Sequence, residues 1–385
     1  MIRYLTAGES HGQALTAIIE GMPAGLKIDA DFINHELWRR QQGYGRGGRM
    51  KIESDKVNIL SGVRFGETTG APITLQIENK DWENWQKRMS VEKPEAPDDI
   101  KKVTIPRPGH TDLAGAIKYG HDDIRNIIER SSARETAIRT AAGAVMKLFL
   151  KEFGITIGSH VIEIHEAAGN TILDADDIEE LSKKADSSPV RCLDPDAEKN
   201  MIAAIDSAKE NGDTVGGRIE VLARGIPVGL GSFMQADRKL DGRIAGALMA
   251  IPAIKEVEIG MGIETGRKYG SEVHDPINID NSGPIKRTGN NAGGIEGGVS
   301  NGEPITAKIT MKPISSLISP LDSVDIQTRE SVKSRFERSD VCAVPAASIV
   351  AEAVLALVLA EAFTEKFSGD HIHDIKYTYD NRRKL

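Results

Sequence analysis

The chain has 385 residues, enough for one large or two moderate domains, with 39% hydrophobic and 28% charged residues, as in a soluble globular protein. Lys+Arg 49 against Asp+Glu 57 leaves a net charge of −8, which argues against nucleic-acid or anionic-membrane binding. The two cysteines, Cys192 and Cys342, form no C-x-x-C pair, so we expect a cytoplasmic protein without disulfides, and the first residues, MIRYLTAGESHG, carry no secretory apolar stretch.

In chain order, Ile2 to Thr6 and Ala14 to Glu20 read as strands flanking the turn Gly8-Glu9-Ser10-His11-Gly12, which presents His11 on a sharp bend. Asp31 to Gln42 reads as a helix with Phe32, Leu37 and Trp38 as apolar anchors. Arg39 to Lys51 then holds five cations (Arg39, Arg40, Arg46, Arg49, Lys51), no acid, and glycines at 43, 45, 47 and 48. Glycine lets backbone N–H groups approach a ligand, and arginine offers a fixed fork of donors, so this loop is expected to build a small anion pocket. Its G-x-G-x-x-G is no dinucleotide fingerprint, because a helix precedes it and a predicted strand, Met50 to Leu60, follows it.

Glu67 to Asn79 reads as turn then strand, and Trp82 to Lys102 as a polar surface excursion. Two prolines stiffen Ile105-Pro106-Arg107-Pro108-Gly109-His110 and so present Arg107 and His110 at low entropic cost. Arg130-Ser131-Ser132 opens a long helix running to Gly154, and Glu135 is placed to complete a capping box with Ser132. With Arg134, that helix start is a candidate anion site.

Asp174 to Lys209 reads as a polar, peripheral helical region. The strand Arg218 to Arg224 runs into Gly225-Ile226-Pro227-Val228-Gly229-Leu230, an echo of G-x-P-x-G-L at 21 to 26; Arg338-Ser339-Asp340 likewise echoes Arg130-Ser131-Ser132. The offsets, 204 and 208 positions, suggest a single domain over 1–385 made of two intertwined similar halves, roughly 1–200 and 201–385. Leu240 to Ile251 reads as a helix, Pro252 to Gly262 and Ile305 to Met311 as strands, and the Gly/Asn-rich stretch 278–302 as a functional loop. Val341 to Phe363 is apolar yet holds Pro345, Glu352 and Glu361, so a buried helix is expected in place of a membrane span. His371-Ile372-His373-Asp374 invites a metal reading, which we set aside for want of a partner cluster.

GESHGQALTAIIEGMPAG (8–25), RRQQGYGRGGRMKIESD (39–55), RPGHTDLAGAIKYG (107–120), ERSSARETAIRTAAGAV (129–145) and RSDVCAVPAASIVAEAVLA (338–356) together resemble the chorismate synthase family, in order and over essentially the whole chain. The resemblance implies an α+β fold, a β-α-β sandwich of antiparallel sheets around central helices, and a homotetramer. It also implies trans-1,4-elimination of phosphate from 5-enolpyruvylshikimate 3-phosphate to give chorismate, with reduced FMN but no net redox change. NADPH would serve only to reduce the flavin. By position, His11, His110 and Asp340 match the family's catalytic residues, and Arg40, Arg46, Arg49, Arg107 and Arg134 its substrate-binding arginines. Arg130, Ser131, Ser132, Pro252, Ala253, Gly298, Lys312, Pro313, Ile314, Ser315, Ser316 and Arg338 match its flavin contacts. Pro252 departs from the family's Asn and lacks a side-chain amide; Ser316 replaces a Thr and keeps the hydroxyl. Competing readings are an NAD(P)H-dependent flavin reductase and a non-catalytic anion- or RNA-binding module.

Overall fold

Strands β1 (Arg3–Ala7) and β2 (Ala14–Glu20) form the first antiparallel hairpin, with Leu15, Ala17 and Ile19 of β2 alternating inward and fully buried. The computed structural model describes residues 2–47, 54–93, 100–172, 177–279, 285–337 and 339–382. Asp29 caps helix α1 (Ala30–Gln41) by accepting from the backbone N–H groups of Asp31 and Phe32. Ile33 and Leu37 are the buried anchors of α1; Trp38 is half exposed, against expectation. Strands β3 (Asn58–Ser61) and β4 (Ile73–Glu78) complete a sheet of order β1-β2-β4-β3. Only the end of the strand expected over Met50 to Leu60 is observed, and 48–53 lie outside the described residues.

Short helices α2 (Asp112–Tyr119) and α3 (Arg125–Ser131) lead into α4 (Thr136–Lys151). The expected continuous capped helix is interrupted: Ser132 is extended and caps a 3-10 turn, Ala133–Glu135, by accepting from Arg134 N. Glu135 accepts from Thr6 Oγ1 at 2.9 Å and pairs with Arg139, so no capping box forms.

A second sheet repeats the pattern. Strands β5 (Thr156–Ile164), β6 (Gly217–Arg224), β7 (Ile254–Ile259) and β8 (Ile305–Met311) lie in the order β7-β8-β6-β5, all antiparallel. Between β5 and β6 come α5 (Ile178–Ser187) and α6 (Pro195–Glu210); Ile178 and Leu181 pack on Leu222, so α5 covers the sheet's outer face and is not merely peripheral. Helix α7 (Leu240–Met249) follows β6 as α1 follows β2. The two G-x-P-x-G-L turns also match, with positive φ at Gly21 and Gly25 and at Gly225 and Gly229.

Helix α8 (Val344–Lys366), nearly all of it buried, lies with α4 between the sheets; α9 (Ile372–Asp380) closes the chain. The helices cross where Gly143 of α4 has no side chain: an added Cβ would lie 2.4 Å from that of Ala353. The architecture is α+β, two antiparallel sheets around central helices, as expected. By length and composition α8 would suit a bilayer, but 94% of its most apolar window is inside the fold.

The core of this sandwich is not wholly apolar. Glu352 of α8 is fully buried and accepts from Arg39 (2.8 and 3.1 Å), Lys147 (2.5 Å) and Ser159 Oγ (2.6 Å). Arg39 also pairs with Glu36 and Asp186, each at 2.8 Å, and Lys147 with Glu36. Arg39, counted by sequence among the cations of the anion loop, is thus a core residue.

Candidate active site

A cavity of about 450 Å³ opens where the loop after α1, the segment before α2, the α3–α4 junction, the turn after β8 and the start of α8 converge. Its lining includes His11, Arg40, Arg46, Arg107, His110, Ser131, Ser132, Arg134, Pro252, Ala253, Lys312, Pro313, Ile314, Ser315, Ser316 and Asp340, all expected from sequence. Arg46, His110, Arg134 and Asp340, from four distant segments, therefore share one space. Arg130 does not line it, but donates from Nη2 to Thr6 O and Oγ1 at the surface. Gly298 is also outside it, packed against Lys239. Arg49 and Arg338 lie outside the described residues.

The loop after α1 is held by the stretch preceding α8. Val341 N donates to Gly45 O at 2.8 Å, and Gly47 N to Asp340 Oδ1 at 2.7 Å. Gly45 has φ +81, and a Cβ there would lie 2.9 Å from Ile205 Cγ2, so the close approach requires glycine. Arg46 Nη1 is 2.8 Å from Asp340 Oδ2. Arg134 Nη1 donates to both oxygens of buried Asp55 at 2.7 and 2.8 Å, and its Nε to Asn79 Oδ1 at 3.0 Å. Arg40 donates to Thr136 Oγ1 and Ala133 O and lies 3.7 Å from Asp55. Asp55, buried behind the cavity wall, thus aims Arg134, while Asp340 holds Arg46 from within the lining.

Each histidine has its own carboxylate. Glu129 of α3 takes His11 Nδ1 at 3.0 Å and the His11 backbone N–H at 2.8 Å, and Trp85 stacks on the imidazole at 3.9 Å between ring centres. The excursion after β4 is therefore part of the site's support. Asp112 takes His110 Nδ1 at 2.5 Å and the Arg107 Nε and backbone N–H at 2.9 and 3.0 Å. Burial pushes the Asp112 carboxyl up, but hydrogen bonds from His110 and Arg107 override it and hold the carboxyl well below the usual range. Glu129 is likewise lowered against its burial by His11 and Arg125. Sequence reading missed Asp112, Glu129 and Asp55; in a loop or short helix nothing distinguishes them from solvated acids.

The cavity also has an apolar floor. Ala343, Ala346, Ala347 and Val350, spaced i, i+3, i+4 and i+7 along α8, face Ile128, Ile251 and Met311. Ala253 sits beside them at φ +69, a conformation unusual for a residue with a side chain, and its carbonyl accepts from Lys312 N at 3.0 Å. A strip of small apolar groups suits a planar ring, and the nearby serine hydroxyls and Lys312 suit a phosphate, so the residues present fit a flavin. His371 and His373 are far from this chemistry in role: His371 Nδ1 accepts from His373 N at the start of α9. Among the described residues no group of three potential metal ligands occurs.

Fold and cavity together define an α+β protein whose cavity gathers arginines from distant segments, two imidazoles held by carboxylates, and an apolar floor. The family model for chorismate synthase matches residues 2–364. The chain is 56% identical to the chorismate synthase of Chlorobaculum tepidum over 383 residues, covering 98% of this chain and 96% of that one. It is 56% identical to that of Carboxydothermus hydrogenoformans over 385 residues, covering 99% and 98%. A crystal structure of a chorismate synthase superposes with a TM-score of 0.79 at 42% identity, covering 99% of this chain and 96% of that one. The chain belongs to the chorismate synthase family. It is a carbon–oxygen lyase acting on a phosphorylated small molecule in the shikimate pathway, and flavin dependence is general to the family.

Proposed function

We propose that this cavity binds 5-enolpyruvylshikimate 3-phosphate beside reduced FMN and eliminates phosphate in a trans-1,4 sense to give chorismate. The observation that supports it best is the convergence of Arg40, Arg46, Arg107, Arg134, Lys312, His11, His110 and Asp340 on one wall system. The substrate carries two carboxylates and a phosphate, and these cations neutralise it away from bulk water. In the reaction a ring C–H and the C–O bond to phosphate break while the ring gains a double bond, without net oxidation. Reduced flavin, when bound, supplies transient electron density to the allylic system. His110, on the same turn as Arg107, is placed to protonate the departing phosphate; Asp340 is placed to receive the ring proton; His11 holds or protonates the flavin.

For the flavin, Ser131, Ser132, Lys312, Pro313, Ile314, Ser315 and Ser316 line the same cavity as Pro252 and Ala253, which supports their assignment as its contacts. NADPH as the flavin's reductant, a homotetramer and a cytoplasmic location belong to the same reading and are supported by family membership alone. The matching orders β1-β2-β4-β3 and β7-β8-β6-β5 support two similar halves within one domain, the second sheet taking its first strand after α4. The test is anaerobic: reduced FMN and the enolpyruvyl phosphate substrate, without nicotinamide, should yield equal phosphate and chorismate. Absence of both products with substrate bound would overturn the reading.

A further inference from the structure

The two cavity imidazoles are held in the same way from independent directions. Glu129 is 2% exposed and Asp112 is fully buried, and each carboxylate grips both an imidazole Nδ1 and a backbone N–H of its loop. Each also has a guanidinium behind it: Arg125 Nη1 is 3.2 Å from Glu129, and Arg107 Nε 2.9 Å from Asp112. A carboxylate accepts only, so Nδ1 in each pair must carry the proton. Arg107 Nη2 lies 3.1 Å from His110 Nδ1 and 3.3 Å from Nε2 and so does not choose between the two nitrogens; the contact that assigns the proton is Asp112 on Nδ1. On His11, Trp85 packs against the ring and restricts its rotation.

We propose that Glu129 and Asp112 are positioning residues that fix the Nδ1–H tautomer of His11 and His110, leaving each Nε2 as the proton-transfer atom. The proposal deepens the acid–base reading of the cavity and rests on it for its kinetic consequence only. A carboxylate used purely as a loop clamp would have no need to engage the ring nitrogen. The charged groups facing His11 are Glu129 and, through it, Arg125; those facing His110 are Asp112 and Arg107, with Lys312 on the neighbouring Gly109 carbonyl.

The experiment is nitrogen-15 NMR of the imidazoles in the full-length protein labelled at histidine, with His11→Ala and His110→Ala used to assign the signals. The wild type should show the Nδ1–H tautomer for both rings when neutral. In Glu129→Gln and Asp112→Asn the amide can donate to Nδ1, and the Nε2–H tautomer should appear for the corresponding ring. Turnover should then fall about 100-fold or more, the scale of lost acid–base assistance, with substrate KM within about threefold in Glu129→Gln; in Asp112→Asn KM should also rise, because Asp112 holds Arg107 as well. Glu129→Asp, which keeps the charge, should recover part of the loss. An Nε2–H tautomer in the wild type overturns the proposal even if no variant folds, and so does an unchanged tautomer in both amide variants. A switched tautomer with unchanged turnover would uphold the positioning role and sink the acid–base reading instead.

Discussion

Arg46 and Asp340 meet at 2.8 Å, and the same carboxylate accepts from Gly47 N, so residues from opposite ends of the chain close one side of the cavity. Both oxygens of Asp340 are thereby fixed in direction. Asp340→Asn keeps the shape and the Gly47 contact but cannot take a proton. We expect turnover to fall by about 100-fold or more while flavin and substrate affinity stay within a few-fold. Stopped-flow kinetics with separate binding titrations check this; near wild-type turnover would remove Asp340 from the chemistry.

The ion cluster around Glu352 predicts a large stability effect remote from the cavity. Removing one partner of a buried pair leaves charge uncompensated, and Glu352→Ala should cost about 3–5 kcal/mol. Denaturant unfolding measures it, and a cost below about 1 kcal/mol would contradict the geometry.

The same residue fixes an acid limit. Burial raises the Glu352 carboxyl, but Arg39, Lys147 and Arg191 outweigh it and hold the group far below the usual carboxylate range. A carboxyl depressed in the folded state stabilises above the unfolded value, about 4.3, and that contribution fades as pH falls from there toward the depressed value. The urea midpoint of the wild type should therefore drop more steeply below about pH 4.3 than that of Glu352→Gln. Parallel curves would argue against it.

Gly143 allows α4 and α8 to touch. In Gly143→Val the branched side chain must displace Ala353, and overpacking of this kind costs about 1–3 kcal/mol. Calorimetry should show a lowered Tm, whereas an equal or higher Tm would mean the helices separate freely.

Cys342 lies beneath Gly45, and burial pushes its thiol up to about 12. At pH 8 it should resist iodoacetamide in the folded protein and react on unfolding, as followed by mass spectrometry. Rapid labelling in the folded state would show that the loop over it opens.

Much of the cavity was legible because its parts advertise themselves locally. Pro106 and Pro108 stiffen the turn that carries Arg107 and His110, and glycines thin the loop carrying Arg46. The periodicity of Ala137, Ile138, Ala141, Ala142 and Val145 marks α4 as buried. What was not legible depends on partners far away in sequence. Arg39 and Arg40 are neighbours, yet the helical turn sends one to Glu352 and the other to the cavity. Ser132 and Glu135 have capping-box spacing, but Ser10 Oγ and Thr6 Oγ1 engage them instead. Motif order and resemblance, more than periodicity, pointed to the two-sheet sandwich.

Val350 on the cavity floor and Glu352 in the ion cluster are two residues apart on α8, about 3 Å along the axis. The surface that receives the ligand and the anchor of the interior are thus points on a single rigid rod. Any change that slides or rolls that rod by a fraction of a turn moves both at once. Heat-sensitive variants of this enzyme should accordingly cluster along α8 and lose ligand affinity at temperatures where the rest of the chain is still folded.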